Sequence, residues 1–325
     1  MADKILITGG CGFIGSHLVE HMVLNGYEVV VYDRYNSESN YGWLEESQVK
    51  KDVKIILGDI RDFDSVYNAV NQVDSIIHLA ALIGIPYSYE SPLAYLKTNT
   101  EGTYNILESA KKLNSSNITI TSTSEVYGSA KYSPIDEDHP LQAQSPYSAS
   151  KISADHLAFS YFNSYNLPIK VLRPFNTYGP RQSKRAIIPT IISQFLNDSD
   201  TVKLGSLDPI RDFTYVSDTC NGFEKIYKEQ KAIGKVFNLG SNNEISINEV
   251  VKLVSKLTKI TKKIDIDNSR VRPEKSEVNH LNCDYTKFNN LVKWEPTIKF
   301  ENGLLKTIDW ISCRKNYLNS NDYKI

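Results

Sequence analysis

Cysteine is scarce in this sequence, and its four copies, Cys11, Cys220, Cys283 and Cys313, stand far apart. They lack metal-ligand spacing and form no disulfide framework, so free thiols in a reducing compartment are expected. An excess of either charge is also missing: 37 basic side chains face 38 acidic ones, a net charge of −1. That balance gives no pull toward nucleic acid or an anionic membrane. No apolar run reaches the roughly 20 residues that span a bilayer. The start, Met1-Ala2-Asp3-Lys4, has no signal-peptide profile and leads into a strand-like run. Internal repeats and low-complexity segments are absent. These absences point to a cytoplasmic globular chain, and 325 residues suffice for one large or two moderate domains.

What is present begins with Lys4-Ile5-Leu6-Ile7-Thr8, an apolar run suited to a parallel strand buried on both faces. The turn Gly9-x-x-Gly12-x-x-Gly15 follows, then a helical pattern from Ser16 to Asn25, a strand from Glu28 to Tyr32, and Asp33. Strand, glycine turn, helix, strand and acidic residue form the context of a dinucleotide site. Gly9 allows the tight turn, Gly12 the approach of a pyrophosphate, and Gly15 the close packing of helix on strand. With Phe13 and Ile14 these residues open a helix whose free N–H groups and dipole favour an anion. Asp33 suits the adenosine ribose hydroxyls. Arg34 could meet the 2′-phosphate of NADP, but Asp33 would repel it, so NAD is the expected cofactor.

The alternation continues. Strands are expected over Val53–Leu57, Ser75–Leu79, Asn117–Ser122 and Ile169–Arg173, with helices over Asp62–Gln72 and Pro92–Leu113. Five or six βα units predict an α/β fold: a doubly wound, parallel-sheet Rossmann domain over residues 1–175. Residues 176–325 read mainly as a smaller α/β substrate-binding lobe, with about 212–240 returning to the first domain. Phe175 to Arg181 reads as a loop, Ile187–Leu196 and Ile247–Leu257 as helices, and Val236–Leu239 as a further strand. Lys184, Arg185, Arg211, Arg270 and Arg272 are placed in loops, where Arg suits phosphate. Asn316 to Ile325 is polar and expected to fray.

One stretch carries the chemistry. It opens Thr121-Ser122-Thr123-Ser124-Glu125 and closes Tyr147-Ser148-Ala149-Ser150-Lys151. Four residues apart on a helix, Tyr147 and Lys151 share a face. An ammonium beside a phenol favours the phenolate, so Tyr147 is expected to have a lowered pKa and to take a proton from an alcohol. Thr123 adds a hydroxyl and Glu125 a carboxylate. Both lie at a strand carboxyl end, where open parallel sheets bind ligands.

Together these residues resemble the extended short-chain dehydrogenase/reductases that act on nucleotide sugars. The resemblance spans nearly the whole chain. It rests on the glycine turn, Asp59, His78-Leu79-Ala80-Ala81, Asn99, Thr123, Tyr147-x-x-x-Lys151, Arg173-Pro174, Asn176, Tyr178-Gly179-Pro180, Arg211-Asp212 and Arg272-Pro273. It implies NAD along Asp59, Ile60, Leu79, Ala80, Ala81, Asn99 and Pro174. It implies a nucleotide sugar on Ser88, Asn176, Arg185, Pro189, Arg211 and Arg272. It also implies a homodimer formed through the helices near Asn99–Leu113 and Tyr147–Tyr165.

Glu125 separates the activities within that family. A 4-epimerase removes and returns a hydride at C4 and needs no carboxylate near C5 and C6; a 4,6-dehydratase does. The dTDP-glucose dehydratases carry Asp-Glu here. This chain has Ser124-Glu125, as in the GDP-mannose dehydratases and UDP-glucuronate decarboxylases, so Glu125 would serve as base and then acid, with Ser124 assisting. Asp33 to Ser37, Leu82 to Pro92 and Arg270 to Val278 are similar to the NAD-dependent 4,6-dehydratases of legionaminic acid biosynthesis, which use UDP- or GDP-N-acetylglucosamine. Three rivals stay open: a UDP-glucuronate decarboxylase, a 4-epimerase, and a catalytically silent nucleotide sensor. The sensor would not need the Tyr-Lys pair.

Overall fold

Seven parallel strands form one sheet in this computed structural model, which describes residues 3–318. They are β1 (Lys4–Thr8), β2 (Glu28–Arg34), β3 (Lys54–Gly58), β4 (Ser75–His78), β5 (Asn117–Thr121), β6 (Ile169–Pro174) and, after three strands of the second lobe, β10 (Val236–Leu239). Their spatial order is β10-β6-β5-β4-β1-β2-β3. The order reverses between β1 and β4, where Leu6 faces Val30 on one side and Ile76 on the other. A crevice at the strand carboxyl ends follows from that reversal.

Alternate residues of each strand feed the two sides of the sheet. Ile5 and Ile7 pack with Leu18, Val19 and Met22 of α1 (Phe13–Leu24). Leu6 and Val30 pack with Val66 of α2 (Phe63–Val70). Beyond α3 (Ile85–Glu90), the run expected as one helix from Pro92 to Leu113 is interrupted. It is α4 (Pro92–Tyr95), a π turn over Leu96–Glu101, and α5 (Gly102–Leu113). Wider turns of this kind re-aim side chains, and here Asn99 sits inside one. Helix α6 (Pro146–Tyr165) packs on β6 beside α5.

The second lobe departs further from expectation. Asn176–Tyr178 is a short strand, β7, not a loop. It pairs with β9 (Ile210–Tyr215), so Arg211 lies on a strand. β11 (Glu244–Ser246) completes this sheet, and β8 (Thr201–Leu204) pairs with β12 (Lys263–Ile266). Three-residue strands are too short to show a period, and β9 buries Arg211 and Asp212 where an apolar residue would mark a strand. Around them stand α7 (Ile187–Leu196), α9 (Ile247–Thr258), α10 (Thr286–Val292) and α11 (Phe300–Ser312). Helix α8 (Val216–Lys228) packs on α1 and leads into β10. At the end of the chain, Tyr317 is buried and donates to the Gln182 carbonyl at 2.8 Å, so the expected fraying does not include it. The rest of that expectation, residues 319–325, lies outside the described residues. No described helix is long and apolar enough to cross a membrane.

Asp212 is the polar pin of the lobe. Fully buried, its carboxylate accepts from Ser241 N at 2.8 Å, Asn242 N at 2.8 Å, Cys283 N at 3.1 Å and Ser241 Oγ at 2.5 Å. Asp212→Ala would strand those donors, costing about 3 kcal/mol or more. A clear fall in melting temperature is expected; an unchanged one would show that the donors find other partners.

Candidate active site

At the cofactor end, Gly9 takes φ +72°, and a Cβ there would meet the Ala80 backbone nitrogen at 2.9 Å. At Gly15 a Cβ would lie 2.0 Å from the Gly9 carbonyl oxygen. Gly9 thus lies close against Ala80 and Gly15 close against Gly9, and Thr8 Oγ1 fastens the first approach by accepting from Ala80 N at 3.1 Å. Helix α1 is capped by Gly12, which offers no side-chain hydrogen bond, so its first N–H groups, those of Phe13 and Ile14 among them, have no side-chain cap. Asp33 accepts from Cys11 N at 2.6 Å and from Arg34 N at 2.7 Å. Cys11, Gly12, Asp33, Arg34, Asn36, Asn40 and Gly42 line a cleft of about 220 Å³. An uncapped helix start beside an oriented carboxylate fits the pyrophosphate and ribose of NAD.

Other residues expected on the cofactor have partners within the protein. Asp59 is paired with Arg61, at 2.9 Å to Nε, and that guanidinium holds its carboxyl below the usual range. Asn99 is buried; its amide accepts from Leu82 N at 2.8 Å and donates to Leu82 O and Ser150 Oγ, both at 2.9 Å. It shapes the loop and helix around the site. Ile60 is buried against Gly102, and Pro174 ends β6 beside Leu239.

Catalytic candidates converge from β5 and α6. A capping box starts α6: Ser145 Oγ accepts from Ser148 N at 3.1 Å, and Ser148 Oγ accepts from Ser145 N at 3.0 Å. Pro146 stands at the first helical position. This sets the phase of the helix. Tyr147 and Lys151 then face inward, both buried. Lys151 Nζ donates to the Thr121 carbonyl at 2.6 Å. Thr123 Oγ1 accepts from Glu125 N at 3.2 Å and also hydrogen-bonds the Tyr147 phenol. Ser124 and Glu125 are buried in the same turn, and the Glu125 carboxylate takes no hydrogen bond from any described residue. Tyr95 packs edge-on against Tyr147, centroids 6.1 Å apart.

The electrostatics correct one expectation. Burial pushes the Tyr147 phenol well above its ordinary value; the Thr123 hydrogen bond lowers it, while Glu125, Tyr95 and Asp155 raise it. In the free protein, the Lys151 ammonium, which donates to Thr121 O and is itself disfavoured by burial, does not offset that rise. Burial lowers Lys151 to about 8, with Asp155 raising it. Buried His78 is lowered to about 3 by burial and by Lys151. The Lys151 charge is present below about pH 8 and lost above it. Catalysis that needs this charge should fall as pH rises through about 8, in a profile of cofactor reduction against pH. A profile flat to pH 10, near the ordinary Lys value, would remove Lys151 from that role.

On the sugar side, Asn176 Oδ1 is buried with no hydrogen-bond partner, as is Arg272 Nη1. Arg211 donates to Ile210 O at 2.9 Å and to Glu277 Oε1 at 3.1 Å, and lies within Coulomb reach of Glu125. Arg272 Nη1 is 3.7 Å from the same Glu277 oxygen. Glu277, which holds both arginines, was not singled out in the sequence; an acid five residues beyond Arg272 was the available sign. Arg185 is exposed and acts on the Tyr95 phenol, which burial raises to about 12. Two candidates are buried side chains. Ser88 is fully buried and donates to Ile85 O at 2.7 Å. Pro189 is buried in the first turn of α7. Among the described residues, no group of three or more His, Cys, Asp or Glu could hold a metal ion.

Comparison with known proteins shows the family of the chain. The family model described as GDP-mannose 4,6 dehydratase matches residues 6–307. A UDP-N-acetyl-alpha-D-glucosaminuronate decarboxylase of Bacillus cytotoxicus is 34% identical, covering 95% of this chain and 98% of that protein. The dTDP-glucose 4,6-dehydratase of Bacillus anthracis, in complex with NAD, has a TM-score of 0.86 at 30% identity, covering 97% of this chain and 98% of that one. The UDP-glucuronic acid 4-epimerase of Bacillus cereus, in complex with UDP-glucuronic acid and NAD, has a TM-score of 0.85 at 29% identity, covering 94% and 98%.

Proposed function

Because the chain belongs to the GDP-mannose 4,6 dehydratase family, we propose that it is a 4,6-dehydratase of a nucleotide-activated N-acetylglucosamine, UDP- or GDP-linked, yielding the 4-keto-6-deoxy sugar. The cofactor is NAD. When bound, it supplies a positively charged ring that accepts hydride from C4 and returns it to C6, so none is consumed. Tyr147, as phenolate, takes the O4 proton, with Thr123 hydrogen-bonded beside it. The ketone at C4 acidifies the C5 hydrogen. Glu125 removes that proton and, once protonated, gives it to the departing C6 hydroxyl; C5 takes up a proton from solvent as hydride returns to C6, and the Tyr147 phenol gives the O4 proton back to solvent. Asn176, Arg211 and Arg272 hold the nucleotide diphosphate. The observation that carries this reading is buried Glu125, its carboxylate without a hydrogen-bond partner and its backbone N–H held by Thr123 Oγ1, within Coulomb reach of Tyr147. The acetamido preference draws support from the name of the Bacillus cytotoxicus relative. We place the enzyme in the cytoplasm as a homodimer, its contact face carrying exposed Tyr104 of α5 and Tyr165 of α6.

A second reading has a specific support. The exposed Arg185 charge is felt at Tyr95, which packs on Tyr147. A guanidinium there could bind a C6 carboxylate, making the chain a decarboxylase of a UDP-linked uronate, as its relative is named. Mass spectrometry separates the two. UDP-N-acetylglucosamine, GDP-N-acetylglucosamine and UDP-N-acetylglucosaminuronate are incubated separately with the protein and catalytic NAD. Loss of one water from either of the first two is expected. Loss of carbon dioxide from the third alone would replace dehydration by decarboxylation, and three unchanged masses would reject both.

A further inference from the structure

Beneath the turn that carries Thr123 and Glu125 lies a buried polar cluster that no step of the proposed reaction uses. Asp155, one helical turn beyond Lys151, is its centre. Asp155 Oδ2 accepts from Ser122 Oγ at 2.8 Å, from Arg173 Nε at 3.0 Å and from Arg173 Nη2 at 2.9 Å. The third guanidinium nitrogen, Nη1, donates to the Tyr127 hydroxyl at 2.8 Å. That hydroxyl donates in turn to Asn238 Oδ1 of β10 at 2.7 Å. The Arg173 guanidinium also lies 5.0 Å from the Tyr127 ring centroid. Ser122, Tyr127, Asp155, Arg173 and Asn238 are all at most 5% exposed.

The sequence positions give the cluster its meaning. Ser122 immediately precedes Thr123, and Tyr127 closes the turn after Glu125. Both flanks of the turn are therefore tied to one ion pair, whose acid rides on the helix that carries Tyr147 and Lys151. A buried ion pair is weak evidence for stability, because desolvation offsets much of its attraction. A planar fork that holds two partners at fixed angles is well suited to setting geometry. Asp155 Oδ1, moreover, is buried without a hydrogen-bond partner, so the carboxylate is not simply saturated.

We propose that the Asp155–Arg173 pair is a positioning device that holds the Thr123–Glu125 turn in register with the helix bearing Tyr147 and Lys151. Its catalytic meaning rests on the roles proposed for Glu125 and Tyr147; its mechanical meaning does not. Ser122→Ala and Tyr127→Phe each release one flank and leave the ion pair itself in place. Ser122→Thr keeps the hydroxyl.

The test measures kcat and KM with the three sugar nucleotides as probes, the dissociation constant of NAD, and amide hydrogen exchange across residues 122–128. Each releasing variant should lose about ten- to a hundredfold in kcat through misplacement of the base. KM and NAD binding should stay within about twofold, exchange in the turn should quicken, and Ser122→Thr should recover most of the loss. Unchanged kcat and exchange in both variants would overturn the proposal. So would parallel losses in NAD binding and melting temperature, which mark general loosening. If the parent protein turns over no probe, the reading of the reaction fails. Exchange then decides the positioning role alone: quickened exchange upholds it, unchanged exchange overturns it.

Discussion

Glu125→Gln should lower product formation about 10²–10⁴-fold while leaving cofactor reduction on mixing with substrate intact. The substitution is nearly isosteric. The backbone N–H of residue 125 still donates to Thr123 Oγ1, and the carboxylate gives up no hydrogen bond because it has none. Arg211 loses a favourable charge nearby but keeps Glu277 at 3.1 Å, so the fold should hold. Only the transfer of the C5 proton and release of water lose their agent. Rapid mixing followed by product analysis would show reduced cofactor that persists. Dehydration at the parent rate would remove Glu125 as the base. Loss of cofactor reduction as well would place Glu125 at the earlier step, beside Tyr147.

The parts legible in the sequence share a physical cause. Strands buried on both faces must be apolar throughout, so Lys4 to Thr8 and Ser75 to Leu79 could be read as runs, and both are sheet strands. The glycine turn could be read because a Cβ at Gly15 has no room, which leaves one residue type possible. Tyr147 and Lys151 could be paired because helical spacing alone puts them on one face. Arg211 misled for the opposite reason. It is buried on β9 and satisfied by Glu277, and neither pairing nor distant partner leaves a local trace. Asn99 sits in a π turn that a single helical period cannot express. Asp155 and Tyr127 passed unnoticed because their partner, Arg173, comes from a strand that reads as apolar around it. Ser88 was placed by resemblance, and its helix turns it inward onto Ile85 O. The phenol's pKa went astray because neighbours in sequence show charge but not burial.

Tyr147→Phe should stop the reaction one step sooner than Glu125→Gln, with cofactor reduction itself falling about 10²–10⁴-fold. The Phe ring keeps the edge-on packing against Tyr95 and the contact with buried Ile85, so folding and NAD binding should survive. Thr123 Oγ1 loses the phenol but still accepts from Glu125 N. What disappears is the acceptor for the O4 proton, without which C4 cannot release hydride. In the free protein, burial keeps that phenol protonated. Its use as a base must therefore depend on the charge of Lys151 and of the bound cofactor, so Tyr147→Phe should also abolish the fall in activity near pH 8. The two substitutions order the chemistry: Glu125→Gln accumulates reduced cofactor, Tyr147→Phe does not, and the double variant should behave as Tyr147→Phe alone. Reduced cofactor accumulating in Tyr147→Phe would mean that another group takes the O4 proton. Thr123, the other hydroxyl at that position, would then be the residue to replace next.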